Sequence, residues 1–147
     1  MAATAGQIAE AGRIPGERIA TTIVTSNSST FTTVETQVAS VSASLVSGRT
    51  YRVVFDGAID STASDDVIRT RIREDNTTGT TLQTRDSMPT ISGATVQSIR
   101  AEAEYTATST ASKTFIATAV RQVSGGGTLN LAAAAGFPTY LYVDFIR

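Results

Sequence analysis

Histidine, cysteine and tryptophan are missing from this 147-residue chain, and lysine occurs once, at Lys113, among 12 basic residues. The first two absences remove the commonest general base, the commonest metal ligand and every nucleophile arrangement that needs an imidazole or a thiol. Without cysteine there is no disulfide, which is compatible with any compartment. At 147 residues a single domain buries about 68–70% of its unfolded surface and needs no such staple. No apolar run approaches the roughly 20 residues of a membrane-spanning helix. No basic-then-apolar segment opens the chain either, so the expectation is a soluble protein with no membrane partner that acts where it is made or assembled. Net charge is −1, which gives no general attraction to nucleic acid.

Threonine, serine, alanine and valine are plentiful, whereas lysine, glutamate and leucine are scarce. Valine and threonine suit pleated, half-buried surfaces, and long helices need the residues that are scarce here. The expected class is all-β. Strict alternation marks three strands: Thr50–Gly57 (TYRVVFDG), Val67–Asp75 (VIRTRIRED) and Ile99–Tyr105 (IRAEAEY). Alternate side chains of a strand share a face. One face therefore holds Tyr51, Val53 and Phe55, then Ile68, Thr70 and Ile72, then Ile99, Ala101, Ala103 and Tyr105. The other holds Arg69, Arg71 and Arg73 on one strand and Arg100, Glu102 and Glu104 on another, an array expected to pair across a sheet. Phe115 and Val143 join the expected core.

Further strands are expected over Glu17–Thr25, Phe31–Val41 (extending through Val46), Thr80–Asp86, Thr114–Gln122, Leu129–Ala135 and Tyr140–Ile146, with turns at SNSS, NTTG and SGGG. Asp60–Asp66 reads as a polar loop and Met88–Ala94 as a loop or irregular edge. Eight to ten short strands imply a two-sheet antiparallel β-sandwich, jelly-roll-like, over residues 19–147. Residues 1–18 read as a short N-terminal arm: a frayed end, or a segment that orders on a partner through Ile8 and Ile14.

Few residues carry a chemical signal. Asp56, Asp60, Asp65 and Asp66 cluster as calcium ligands do, but lack the glycine and glutamate spacing of a calcium loop, so they read as turn formers. Glu102 and Glu104 have the separation of paired glycosidase carboxylates, yet any two same-face neighbours do, and partners for the arginine row are the simpler reading. That row is followed at once by Glu74 and Asp75, which argues against a phosphate grip. SGGG lacks the lysine of a phosphate loop and reads as a flexible turn. No catalytic residue, metal ligand or cofactor is expected. Arginine in place of lysine suits protein–protein contacts, so Arg69, Arg71, Arg73, Glu102 and Glu104 are expected to face a subunit or partner.

The segments NSSTFTTVET, LVSGRTYRVVFDG, RTRIRED, AEAEYTATSTASKTFIATAVR and PTYLYVDFIR resemble small β-sandwich virion structural proteins, of minor tail or capsid-decoration type, from tailed bacteriophages of actinobacteria. The resemblance implies a non-enzymatic subunit that binds other virion proteins and assembles in the bacterial host cytoplasm. It also implies a homo-oligomer, most simply a trimer. The alternative is a receptor- or glycan-binding module at a fibre tip, with Tyr140 and Tyr142 as its candidate aromatics.

Overall fold

The computed structural model describes residues 15–63, 65–87 and 95–147. The described chain forms nine strands: β1 (Arg18–Val24), β2 (Thr36–Leu45), β3 (Thr50–Ser61), β4 (Val67–Glu74), β5 (Thr81–Ser87), β6 (Thr95–Thr106), β7 (Ala111–Val123), β8 (Leu129–Ala132) and β9 (Thr139–Phe145). One sheet has the order β1-β9-β3-β6, with β8 also paired to β3, and the other has the order β2-β7-β4-β5. Every pairing is antiparallel. The β4–β5 hairpin is the tip of a long ribbon. Behind it β3 pairs with β6, β2 with β7 and β1 with β9, and the ribbon wraps so that its halves alternate between sheets. That is the jelly-roll order.

The alternating sets find the core as expected. Tyr51, Val53, Phe55, Ile68, Ile72, Ile99, Phe115, Leu141 and Val143 are buried between the sheets, and Tyr105 packs half-buried against them. The Tyr105 ring meets Phe115 edge-on at 5.1 Å, joining the two sheets. Tyr51 keeps its hydroxyl satisfied by accepting from the Val46 amide at 2.8 Å, which removes the penalty of burying a polar atom.

The N–H of Gly16 bonds to the carbonyl of Phe145, and the N–H of Phe145 to that of Glu17. Main-chain pairing with β9 thus begins ahead of β1. Ile8, Ile14 and most of the expected arm lie outside the described residues, as does the expected loop from Met88 to Ala94.

Several boundaries differ from expectation. The strand expected from Phe31 begins only at Thr36. Phe31 instead drives its ring into the core, its amide bonded to Leu129, while the Thr32 carbonyl takes the Arg121 amide. Residues 28–32 thereby bridge β8 in one sheet and β7 in the other. After a register shift between Gln37 and Ala39, Ala39, Val41, Ala43 and Leu45 lie on the core face, and Val34, ahead of β2, is exposed. β3 runs on through Asp60 and Ser61, shortening the expected polar loop.

Candidate interaction faces

The arginines of β4 and the glutamates of β6 sit in different sheets and face away from the core. The expected pairing between them therefore does not occur. Each row is neutralised on its own face. Arg69 forms a bidentate pair with Asp86 on the neighbouring strand, both bonds at 2.7 Å. Arg71 donates to Glu35 Oε2 at 2.5 Å, and Arg73 donates to Oε1 at 2.8 Å and Oε2 at 3.0 Å. Thr118 also donates to Oε1 of the same carboxylate. Arg73 further bonds the Gly79 carbonyl and the Thr81 hydroxyl, locking the β4–β5 turn.

Glu35 is the residue this sequence reading missed. It lies just ahead of β2, where alternation alone assigns it no partner. Burial raises its carboxyl pKa, but the bonds from Arg73 and Thr118 and the charges of Arg71 and Arg73 outweigh that and hold it below its ordinary value. The Asp86 carboxyl is likewise lowered, chiefly by its hydrogen bond to Arg69. Where β4 ends beside β7, Lys113 reaches Glu74 at 2.6 Å and Asp75 at 2.8 Å. Hydrogen bonds to Asp75 and Glu74 raise its pKa well above the ordinary lysine range.

The arginine row has a packing role as well. In register, Arg69, Arg71 and Arg73 stand beside Val120, Thr118 and Ile116 of β7. Those three are buried although they point away from the core. Arginine stems lying along a sheet shield apolar neighbours and keep the guanidinium at the surface. Planar, bidentate pairing holds the stems in place, which a lysine does less well.

The opposite outer face is built alike. Glu102 pairs with Arg100 at 3.1 Å and Arg52 at 3.7 Å, and Glu104 with Arg147 at 3.7 Å. Buried Asp144 accepts from Arg52 at 3.0 Å and Arg18 at 3.2 Å. The Arg18 guanidinium lies 3.5 Å from the centre of the Tyr142 ring. Beneath these groups Val54 and Tyr142 are buried, so Tyr142 is a covered ring and not a free platform.

At one end of the sandwich, fully buried Asp66 accepts from Ser61 at 2.7 Å, Arg121 at 3.3 Å and the Gly125 amide at 2.7 Å. Arg121 also donates to the Gly127 carbonyl at 2.5 Å. The SGGG stretch is thus a packed loop and not a free turn. A Cβ on Gly127 would stand 2.6 Å from the Ala63 nitrogen, and Gly126 has φ of 89°. Asp66 bonds another loop's backbone and not its own, correcting its reading as a turn former. Among the described residues no three acidic, histidine or cysteine groups gather as a metal site.

A shallow hollow of about 220 Å³ opens on the outer face beside β9, lined by Asp56, Gly57, Ala58, Ser98, Phe137, Pro138 and Tyr140. A second, of about 330 Å³, lies between the β5 and β6 edges, against Gln83, Arg85, Arg100 and Glu102. Those two edges face each other, Gln83 donating to the Glu102 carbonyl at 3.2 Å. On the other flank Thr22 of β1 donates to the Ser40 carbonyl of β2 at 2.6 Å. The sheet edges are thus partly shielded by each other.

No protein-family model matches the chain, and no curated protein does. Among solved structures, the chain is similar to chains from infectious bursal disease virus. For the Gt strain, identity is 14% and the TM-score 0.44; for the Gx strain they are 12% and 0.38. In both cases 90% of this chain matches 39% of the viral chain, so this chain spans about two fifths of their length. A structure titled "CBM4 structure and function" matches 88% of this chain and 92% of its own, at 13% identity and a TM-score of 0.24.

Proposed function

We propose that this chain is a non-enzymatic structural subunit of a tailed-phage virion, tail-associated or decorating the capsid, and that it works through protein–protein contacts. The observation that carries the reading is the state of its outer faces. On both, acid–arginine pairs are fixed within the chain. The two described hollows hold no histidine, cysteine or lysine, and no nucleophile activated by a base. Such a surface suits a rigid building block better than a catalyst, and jelly rolls serve in capsids and lectins alike. The phage assignment rests on the resemblance of the five segments quoted above, and a fold by itself does not select a function.

Assembly as a homotrimer belongs to the same proposal, with a narrower basis. Arg69, Arg71 and Arg73 have partners within the chain, so they supply no reason for a neighbouring copy. The surface that remains for subunit contact includes the exposed apolar side chains Ile23, Val34, Val96 and Val123. Mass spectrometry of purified particles, with a density map of the intact virion, tests the role. The chain is expected at fixed copy number at one location, and its absence from washed particles overturns the reading. Sedimentation equilibrium of the purified protein tests the trimer, which a monomer at high concentration, with no copy-to-copy contact in the virion, overturns.

A further inference from the structure

The hollow beside β9 brings an exposed aromatic ring together with polar groups. Phe137 is 54% exposed at its rim. Its backbone is pinned: Phe137 and Ala134 exchange hydrogen bonds of 3.1 and 3.3 Å across a tight turn. Tyr140, half-buried, supplies a second ring from the first turn-proximal positions of β9. The floor is Ala58, whose register partners are Ala132 on one side and Ser98 on the other. The small side chains of that row leave the depression open.

The polar groups stand around this floor. Asp56 lies one row away, its register partners being Tyr140 and Arg100, and it accepts from Arg100 Nη1 at 3.2 Å. Both members of that pair are nearly half exposed, 44% for Asp56 and 49% for Arg100, so each keeps donors or acceptors for another molecule. Ser98 adds an exposed hydroxyl. One row away on the other side, Asp60 points to the same face, and its buried Oδ1 has no hydrogen-bond partner among the described residues. A buried acceptor without a donor is costly, but this atom does not line the hollow and takes no part in the site.

We propose that this hollow binds a saccharide, with the ring's C–H face against Phe137 and its hydroxyls directed to Asp56, Arg100 and Ser98. A sugar ring presents an apolar face and a rim of hydroxyls that both donate and accept. The hollow offers an exposed ring on a pinned backbone with a carboxylate and a hydroxyl, and the Arg100 guanidinium flanks it through its bond to Asp56. A phosphate or other anion fits less well, because Asp56 stands at the centre of the rim. A long apolar ligand fits less well because the depression is shallow and about 220 Å³. The site differs from the Tyr140–Tyr142 pair expected from sequence, since Tyr142 lies covered under Arg18 and Phe137 takes its place. It does not depend on the virion reading.

The test is a titration of the isotopically labelled full-length chain with a fixed panel: glucose, galactose, mannose, N-acetylglucosamine and their linear di- to tetrasaccharides, read by amide chemical shifts. The expected result is saturable shifts centred on Ala58, Ser98 and Phe137 for at least one sugar, with Kd on the order of 1 mM for an open site that a small polar ligand only partly fills. Phe137→Ala and Asp56→Asn are each expected to weaken that binding at least about tenfold, roughly 1.4 kcal/mol. Arg69→Ala, on the other outer face, is expected to leave it unchanged. Phe137 is exposed, and its main-chain bonds survive the substitution, so an unaltered spectrum elsewhere certifies the fold. No saturable shift with any sugar of the panel overturns the proposal. So do shifts at these residues that follow protein concentration alone, which would make the hollow a contact between copies.

Discussion

Gly125 donates its backbone N–H to Oδ1 of the buried Asp66 at 2.7 Å, tying the loop ahead of β8 to the start of β4. Arg121, itself largely buried, completes the cluster from β7. Replacing Asp66 by Ala strands the guanidinium, and stranding a buried charged partner costs about 3–5 kcal/mol. Urea denaturation is expected to show a loss of that order for Asp66→Ala. Asp66→Asn, which keeps an acceptor for the Gly125 amide, is expected to lose less. A loss for Asp66→Ala below about 1 kcal/mol, the scale of ordinary surface changes, would contradict the cluster's role.

Acid is expected to loosen the β2–β4 face. Glu35 has a folded-state pKa below its ordinary 4.5, and Asp86 one below its ordinary 3.8. A carboxylate whose pKa is depressed by folding contributes stability that is complete above the unfolded value. That contribution is lost as pH falls through the folded one. Stability measured by denaturant at a series of pH values is thus expected to drop from about pH 5 downward. Glu35→Gln is expected to be less stable at neutral pH and to flatten that dependence. Asp86 adds little, because its pair is more exposed and solvent screens it. An unchanged pH profile in Glu35→Gln would show that the node is not coupled to folding.

Arg71→Ala is expected to weaken the fold and leave sedimentation unchanged. Its guanidinium and the Glu35 carboxylate are 19% and 20% exposed, between the fully exposed and fully buried cases. The expected cost is therefore about 1–3 kcal/mol, between about 0–1 for exposed pairs and about 3–5 for a stranded buried one. If instead the variant keeps its unfolding midpoint and alters its sedimentation coefficient, Arg71 serves assembly.

Phe55→Ala removes a ring buried between the sheets and is expected to cost about 3–5 kcal/mol. Val34→Ala, at a position 69% exposed, is expected to stay within about 0.5 kcal/mol. Thermal or urea unfolding of the two variants compares them directly. Equal losses would mean that the core face of β3 is misassigned.

The class of fold and most of the core were legible in the sequence because alternation is local. Each strand carries its own record of which side chains share a face, and Tyr51, Val53 and Phe55 on β3 or Ile68 and Ile72 on β4 need no knowledge of their neighbours. The tight turn at Asn76–Gly79 was equally legible: the Gly79 amide bonds the Asn76 carbonyl, and a Cβ at Gly79 would meet the Glu74 carbonyl oxygen at 1.8 Å. Partner choice is not local. Nothing in the run from Val67 to Glu74 says that β7 and β5 flank it and that β6 lies in the other sheet. Local pattern therefore pairs the arginines with Glu102 and Glu104, whereas Glu35 and Asp86 hold them. Only the wrapped ribbon brings Glu35 to Arg73, Asp66 to Gly125 and Phe137 to the row of Asp56. In each case the chain folds back over a long stretch of sequence, and the free energy of the contact appears only once the strands between have paired.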